Sequence, residues 1–86
     1  MIAFTIYSRP GCHLCDEMKA VVIGVLRRRP DLSLEEVDIS SDPALEALYG
    51  LEIPVLMING RKAAKYRVGE EELSRMLAGR AGEAGR

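Results

Sequence analysis

The sequence predicts an α/β domain in the order β-α-β-α-β-β-α, a four-stranded mixed sheet flanked by helices. Three observations carry this. Apolar runs (2–7, 32–39 and 55–58) alternate with stretches of helical spacing, the pattern of a β-α-β unit with a parallel strand pair. Asn59-Gly60, just after the third run, is a strong hairpin signal and brings the chain back antiparallel. Cys12 and Cys15 stand two residues apart where the first run gives way to the first helix, behind the turn signal Pro10-Gly11.

The elements follow in order. Ile2-Ala3-Phe4-Thr5-Ile6-Tyr7 is apolar and β-branched and reads as a buried first strand. Residues 13–28 read as a helix, since Leu14, Met18, Val21, Val22, Val25 and Leu26 form one apolar stripe. Arg27, Arg28 and Arg29 fall in its last turn, where cations suit the helix dipole, and Pro30-Asp31 stops it. Gly24 inside it costs about 1 kcal/mol relative to alanine. Leu32, Leu34, Val37 and Ile39 mark a second strand whose alternation slips at Glu35-Glu36, which predicts a late start or a bulge there. Asp42 is the expected cap of a helix opening at Pro43, and Gly50 its C-cap. Ile53-Pro54 precedes the third strand, Val55–Ile58. Residues 61–67 return as a polar edge strand. Glu70, Glu71 and Glu72 open a last helix whose apolar face is Leu73, Met76 and Leu77. Residues 79–86 lack periodicity and read as a flexible tail, leaving 1–78 as a single domain.

Composition narrows the function. The chain has 86 residues, 48% hydrophobic and 29% charged, enough for one small core. No apolar run approaches the roughly 18 residues of a membrane span. No basic region, apolar stretch and cleavage site open the chain as in a signal peptide. A net charge of −1 argues against general nucleic-acid binding. Two cysteines spaced C-x-x-C are too few and too close for a secreted disulfide scaffold. In a cytoplasmic chain, the expected location, the pattern reads as redox-active or metal-binding.

The placement of Cys12 has chemical consequences. A helix N-terminus offers unpaired backbone N–H groups and the positive end of the dipole, so it favours a thiolate over a thiol. Cysteines so placed titrate well below the free value of about 8.5, and the thiolate is the nucleophile that attacks disulfides. Cys15, one turn further on, can close a short disulfide with Cys12. His13, if protonated, would add to the stabilisation of the Cys12 thiolate, with Asp16 and Glu17 partly opposing it. The same cysteines could instead hold zinc, with His13, or an iron–sulfur cluster shared between chains.

Cys12-His13-Leu14-Cys15 after the first strand, with Ile53-Pro54 before the third, resembles a glutaredoxin of the thioredoxin-fold family. The likeness is nearest to the small bacterial glutaredoxin-like group and covers roughly residues 2–78. It implies a thioredoxin-like fold and a thiol–disulfide oxidoreductase acting on protein or glutathione mixed disulfides. It makes Cys12 the nucleophile, Cys15 the resolving thiol and Pro54 a cis-proline, with the Ile53 backbone pairing to the substrate peptide. Arg9 matches a basic position that contacts a glutathione carboxylate. The family's aromatic residue inside the motif is replaced by His13-Leu14. Its glycine pair for holding glutathione is replaced by Tyr66-Arg67-Val68-Gly69. The Tyr66-Arg67 pair is also similar to the glutaredoxin-like electron donors of ribonucleotide reductase. The resemblance thus implies a monomer that needs no cofactor, acts on a disulfide-containing protein, and is reduced by glutathione or thioredoxin reductase. The iron–sulfur or zinc carrier using Cys12 and Cys15 is the alternative function.

Overall fold

The computed structural model describes residues 2–84, with side chains from 2 to 78. Strand β1 (Ile2–Ser8) leads into helix α1 (His13–Leu26). Strand β2 (Leu32–Asp38) and a single 3-10 turn (Ile39–Ser41) lead into helix α2 (Pro43–Tyr49). Strands β3 (Val55–Ile58) and β4 (Arg61–Lys65) form a hairpin, and helix α3 (Glu70–Ala84) follows. The sheet order is β2-β1-β3-β4, with β1 parallel to β2 and antiparallel to β3. This is the expected four-stranded mixed sheet.

The two sheet faces follow from strand alternation. Ile2, Phe4 and Ile6 of β1 with Leu56 and Ile58 of β3 turn to one side. There they pack on Met18, Val22 and Val25 of α1 and Leu73 and Leu77 of α3. All of these residues are 0–2% exposed, and each contributes about 1.5–3 kcal/mol by leaving water. The opposite face carries Tyr7, whose ring stacks on Tyr49 of α2 with centroids 4.6 Å apart. Helix α2 therefore covers the side away from α1 and α3. Its start is fixed by Asp42, whose carboxylate accepts from the Ala44 and Leu45 N–H groups, and by Pro43 at the first helical position. In the β3–β4 turn Asn59 and Gly60 both take positive φ, at 51° and 82°, as a two-residue hairpin with matching twist requires.

Four expectations need correction. Helix α1 ends at Leu26, so Arg27–Arg29 lie past its last turn; Arg28 instead pairs with Glu70 of α3 and Arg29 with Asp31. Strand β2 is regular from Leu32 to Asp38, without a bulge. The alternation slips at Glu36 because that carboxylate stands on the helix-facing side, where Lys19 and Ser8 donate to it at 2.8 and 3.1 Å. Gly50 is the C-cap of α2, as expected, and is right-handed, at φ −54°. A Cβ there would lie 2.6 Å from the Glu46 carbonyl oxygen, so crowding rather than handedness accounts for the glycine. Strand β4 stops at Lys65, two residues early, because Tyr66 turns the backbone to φ 68°. Finally, α3 continues through 79–84, the start of the expected tail. The expectation for 85–86 lies outside the described residues.

Candidate redox site at the β1–α1 junction

The site begins with a tight turn. The Cys12 N–H donates to the Arg9 carbonyl at 3.2 Å, closing a four-residue turn with Pro10 and Gly11 at its centre. Gly11 has φ 79°, so proline first and glycine second satisfy what such a turn demands. The turn delivers Cys12 as the N-cap of α1 with extended backbone angles, φ −85° and ψ 111°. Its Sγ occupies the position a serine or aspartate oxygen takes in an ordinary cap, accepting from the Cys15 N–H at 3.2 Å. Thus the sulfur already serves as the acceptor for an unpaired donor at the positive end of a helix. In the reduced chain the same geometry favours a thiolate.

Cys12 and Cys15 form a disulfide, with Cα atoms 5.2 Å apart. The two residues differ in exposure: Cys12 is partly exposed, whereas Cys15 is 2% exposed. Leu14 lies between them in sequence. With Met18, Glu17, Tyr66, Arg67 and Val68 it lines a cavity of about 120 Å³. So the first turns of α1 and the segment after β4 meet at this cavity. A second cavity, of about 270 Å³, opens behind Cys15 and is walled by Ser8, Arg9, Asp16, Glu36 and Asp38.

Ile53-Pro54 is cis and Pro54 is buried. Its position follows from strand register. Val55 pairs with Tyr7, so Pro54 stands at the end of β3 where β1 leaves toward Cys12. Among the described residues, neither the N–H nor the C=O of Ile53 makes a backbone hydrogen bond outside regular structure. The Tyr66 N–H donates to the Pro54 carbonyl at 2.9 Å, and the Tyr66 hydroxyl donates to the Leu51 carbonyl at 3.1 Å. Tyr66 thereby straps both ends of the proline turn. It does so at φ 68°, a left-handed conformation that costs a non-glycine residue about 1–2 kcal/mol.

The remaining candidate residues are distributed around this centre. The Arg9 guanidinium forms a two-pronged pair with Glu46 of α2, its Nε donating at 3.1 Å and an Nη at 2.8 Å. His13 is 88% exposed and turns its Nε2 toward Glu17 at 3.6 Å, one helical turn on. Arg67 is exposed at the rim of the smaller cavity. Among the described residues, no three His, Cys, Asp or Glu side chains gather as a metal site. Among the described residues, no helix is long and apolar enough to cross a membrane.

Sequence reasoning did not find Glu46, Ser8, Glu36 or Leu51. Glu46 carries no signal of its own, because its partner lies 37 residues away. Glu36 left a trace in the broken alternation of β2. Its carboxyl is held below the usual 4.5, chiefly by the hydrogen bond from Lys19 and also by the Ser8 hydroxyl. Lys19 is correspondingly raised, chiefly by its hydrogen bond to Glu36.

Comparison with known proteins bears on the family and the fold. Residues 3–78 match the family model "Glutaredoxin-like domain (DUF836)". The X-ray structure of protein XcR50 from X. campestris is 32% identical, with a TM-score of 0.68, covering 88% of this chain and 96% of that one. The solution structure of protein Ne2328 from Nitrosomonas europaea is 26% identical with a TM-score of 0.73, covering 87% and 89%. Desulfothioredoxin from Desulfovibrio vulgaris Hildenborough, in its reduced form, is 24% identical with a TM-score of 0.69, covering 91% and 80%, a likeness in fold. No curated protein matches the chain.

Proposed function

Since the chain belongs to the glutaredoxin-like domain family, we propose that it is a thiol–disulfide oxidoreductase reducing protein disulfides through Cys12 and Cys15. One observation carries the reading: Cys12 is the accessible N-cap sulfur of α1, while its disulfide partner is buried one turn behind it.

The dithiol acts in two exchanges. The Cys12 thiolate attacks one sulfur of the substrate disulfide. The Cys12–substrate bond forms, the substrate S–S bond breaks, and the other substrate sulfur leaves as a thiolate. Cys15, after losing its proton, then attacks Cys12. The mixed disulfide breaks, the second substrate thiolate leaves, and the Cys12–Cys15 disulfide remains. Two electrons have passed to the substrate. An external thiol must return them, and glutathione or thioredoxin reductase are the two candidates.

The proline turn supports substrate docking in this reading. The unpaired Ile53 N–H and C=O can take the substrate backbone as a short added strand beside Cys12. Arg9 is a weak anchor for glutathione, because Glu46 already neutralises it. Protein disulfides are therefore preferred over glutathione mixed disulfides as substrates, and thioredoxin reductase over glutathione as reductant. The chain's own residues supply the chemistry, with no cofactor. The test is catalytic reduction of insulin disulfides, run in parallel with glutathione plus its reductase and with thioredoxin reductase. Turnover with either reductant is expected, faster with the second. No turnover with either, or iron bound to the purified chain at one equivalent per pair of cysteines, overturns the reading.

A further inference from the structure

Resting on the reading of Cys12–Cys15 as a disulfide reductant, we infer that Leu51 and Tyr66 form a ledge that docks an apolar, acidic segment flanking the substrate's disulfide. Leu51 is 94% exposed and Tyr66 44%, two of the three large hydrophobic side chains exposed among the described residues. Scattered singly, such residues mean little; here they are tied together at the site. The Tyr66 hydroxyl holds the Leu51 carbonyl, and the Tyr66 N–H holds the carbonyl of Pro54. On its other side Tyr66 shares a cavity wall with Leu14, the residue between the cysteines. The ledge therefore extends from the wall shared with Leu14 along the proline turn.

The charge beside the ledge specifies its occupant. Lys65 and Arg67 flank Tyr66, both are exposed, and neither is ion-paired to a described residue. The Lys65 ammonium lies 5.6 Å from the centroid of the Tyr66 ring. Of the nearby acids, Glu52 pairs with Lys62, and Glu17, 3.6 Å from His13, is the one carboxylate on the shared cavity wall, set against the two cations Lys65 and Arg67. A surplus of positive charge around exposed apolar side chains fits a segment that offers both an aliphatic side chain and carboxylates. Cations on β4 also shield an exposed sheet edge from other strands, but Arg67 lies beyond the end of that strand. Tyr66 gives a second indication. Its positive φ suits glycine or asparagine better. What tyrosine adds is a ring, whose hydroxyl straps the turn and whose exposed part, with Lys65 beside it, is left for a ligand.

The experiment compares peptides whose single cysteine is held in a mixed disulfide with thionitrobenzoate, a chromophore released on reduction. One peptide has leucine and aspartate beside the cysteine, a second leucine and lysine, a third glycine and serine. The expected kcat/KM is about tenfold higher for the first than for either other, the scale of burying one large aliphatic side chain or meeting a charge pair. Added salt narrows the gap to the lysine peptide. Leu51→Ser and Arg67→Ala each bring the corresponding ratio toward one. Tyr66→Phe, which loses the strap but keeps the ring, preserves the ratios, whereas Tyr66→Gly abolishes them. Equal kcat/KM for all three peptides, with turnover present, overturns the docking ledge and leaves the oxidoreductase reading standing. Ratios lost in Tyr66→Phe assign Tyr66 to the strap alone and overturn its share in docking. A dimer in sedimentation that dissociates in Leu51→Ser means a second copy covers the ledge, and also overturns the inference. No release from any peptide or from the thionitrobenzoate dimer overturns the underlying reading, and the ledge with it.

Discussion

Glu46 grips Arg9 from the other side of the sheet. The carboxylate accepts from the guanidinium Nε at 3.1 Å and from an Nη at 2.8 Å, linking α2 to the turn that presents Cys12. A paired fork of this kind fixes direction as well as charge. It therefore sets where the Arg9-Pro10-Gly11 turn sits, and so where α1 begins. Both side chains are more than a third exposed, so the stability involved is modest. Arg9→Ala and Glu46→Ala are each expected to cost about 0.5–1 kcal/mol, with the double variant no worse than either single one. Urea unfolding of the three variants checks this. Additive losses would mean the pair does not act as a unit.

Cys15→Ser is expected to accumulate a mixed disulfide on Cys12 when mixed with an oxidised substrate, because the buried thiol that releases it is gone. Cys12→Ser should form none. In the reduced protein, alkylation near neutral pH should label Cys12 first. Peptide mapping by mass spectrometry reads both. Preferential labelling of Cys15 would reverse the assigned roles.

Gly24→Ala is expected to stabilise the fold. The glycine sits mid-helix, and an added Cβ would find only the Glu70 carboxylate, at 3.8 Å, an ordinary contact. Removing glycine from a helix interior recovers about 0.5–1 kcal/mol. A rise in the urea midpoint at unchanged slope is the expected result. A fall would show that α1 and α3 pack more tightly here than the contact distances indicate.

Acid should destabilise the protein earlier than its net charge alone suggests. Glu36 and Glu52 titrate below the ordinary 4.5, chiefly through hydrogen bonds from Lys19 and Lys62, and Asp38 below 3.8, chiefly through the Ser40 hydroxyl. A carboxyl whose folded pKa is lowered contributes stability above its unfolded pKa. That contribution is lost as pH falls through the folded value, since the unfolded chain binds the proton first. The urea midpoint should therefore be flat above about pH 5 and decline through pH 4 and below. Glu36→Gln and Asp38→Asn should each flatten that decline. A decline of equal slope in both variants would contradict the assignment.

Much of the scaffold was legible because local chemistry and tertiary role coincide. Pro10-Gly11, Asp42-Pro43 and Asn59-Gly60 name their own backbone angles, and each turn or cap forms where those residues stand. The apolar, β-branched run 2–7 announced a buried strand, and Ile2, Phe4 and Ile6 form its core face. What was hidden depends on partners distant in sequence. Glu36 looked like a misplaced charge until Ser8 and Lys19 were brought beside it. Arg9 looked available for a ligand until α2 placed Glu46 on it. Tyr66 read as a strand residue, since nothing local signals that its N–H and hydroxyl are drawn to Pro54 and Leu51. The continuation of α3 beyond Ala78 has no apolar stripe to announce it.

The central claim is that Cys12 and Cys15 act together as a two-electron reductant. Single-turnover stoichiometry tests it most directly. Fully reduced protein is mixed with a protein disulfide in the absence of any other thiol, quenched in acid, and its cysteines are mapped. One Cys12–Cys15 disulfide should appear for each substrate disulfide lost, with two new thiols on the substrate. Persistence of the substrate disulfides, with both Cys12 and Cys15 still reduced, would contradict the account.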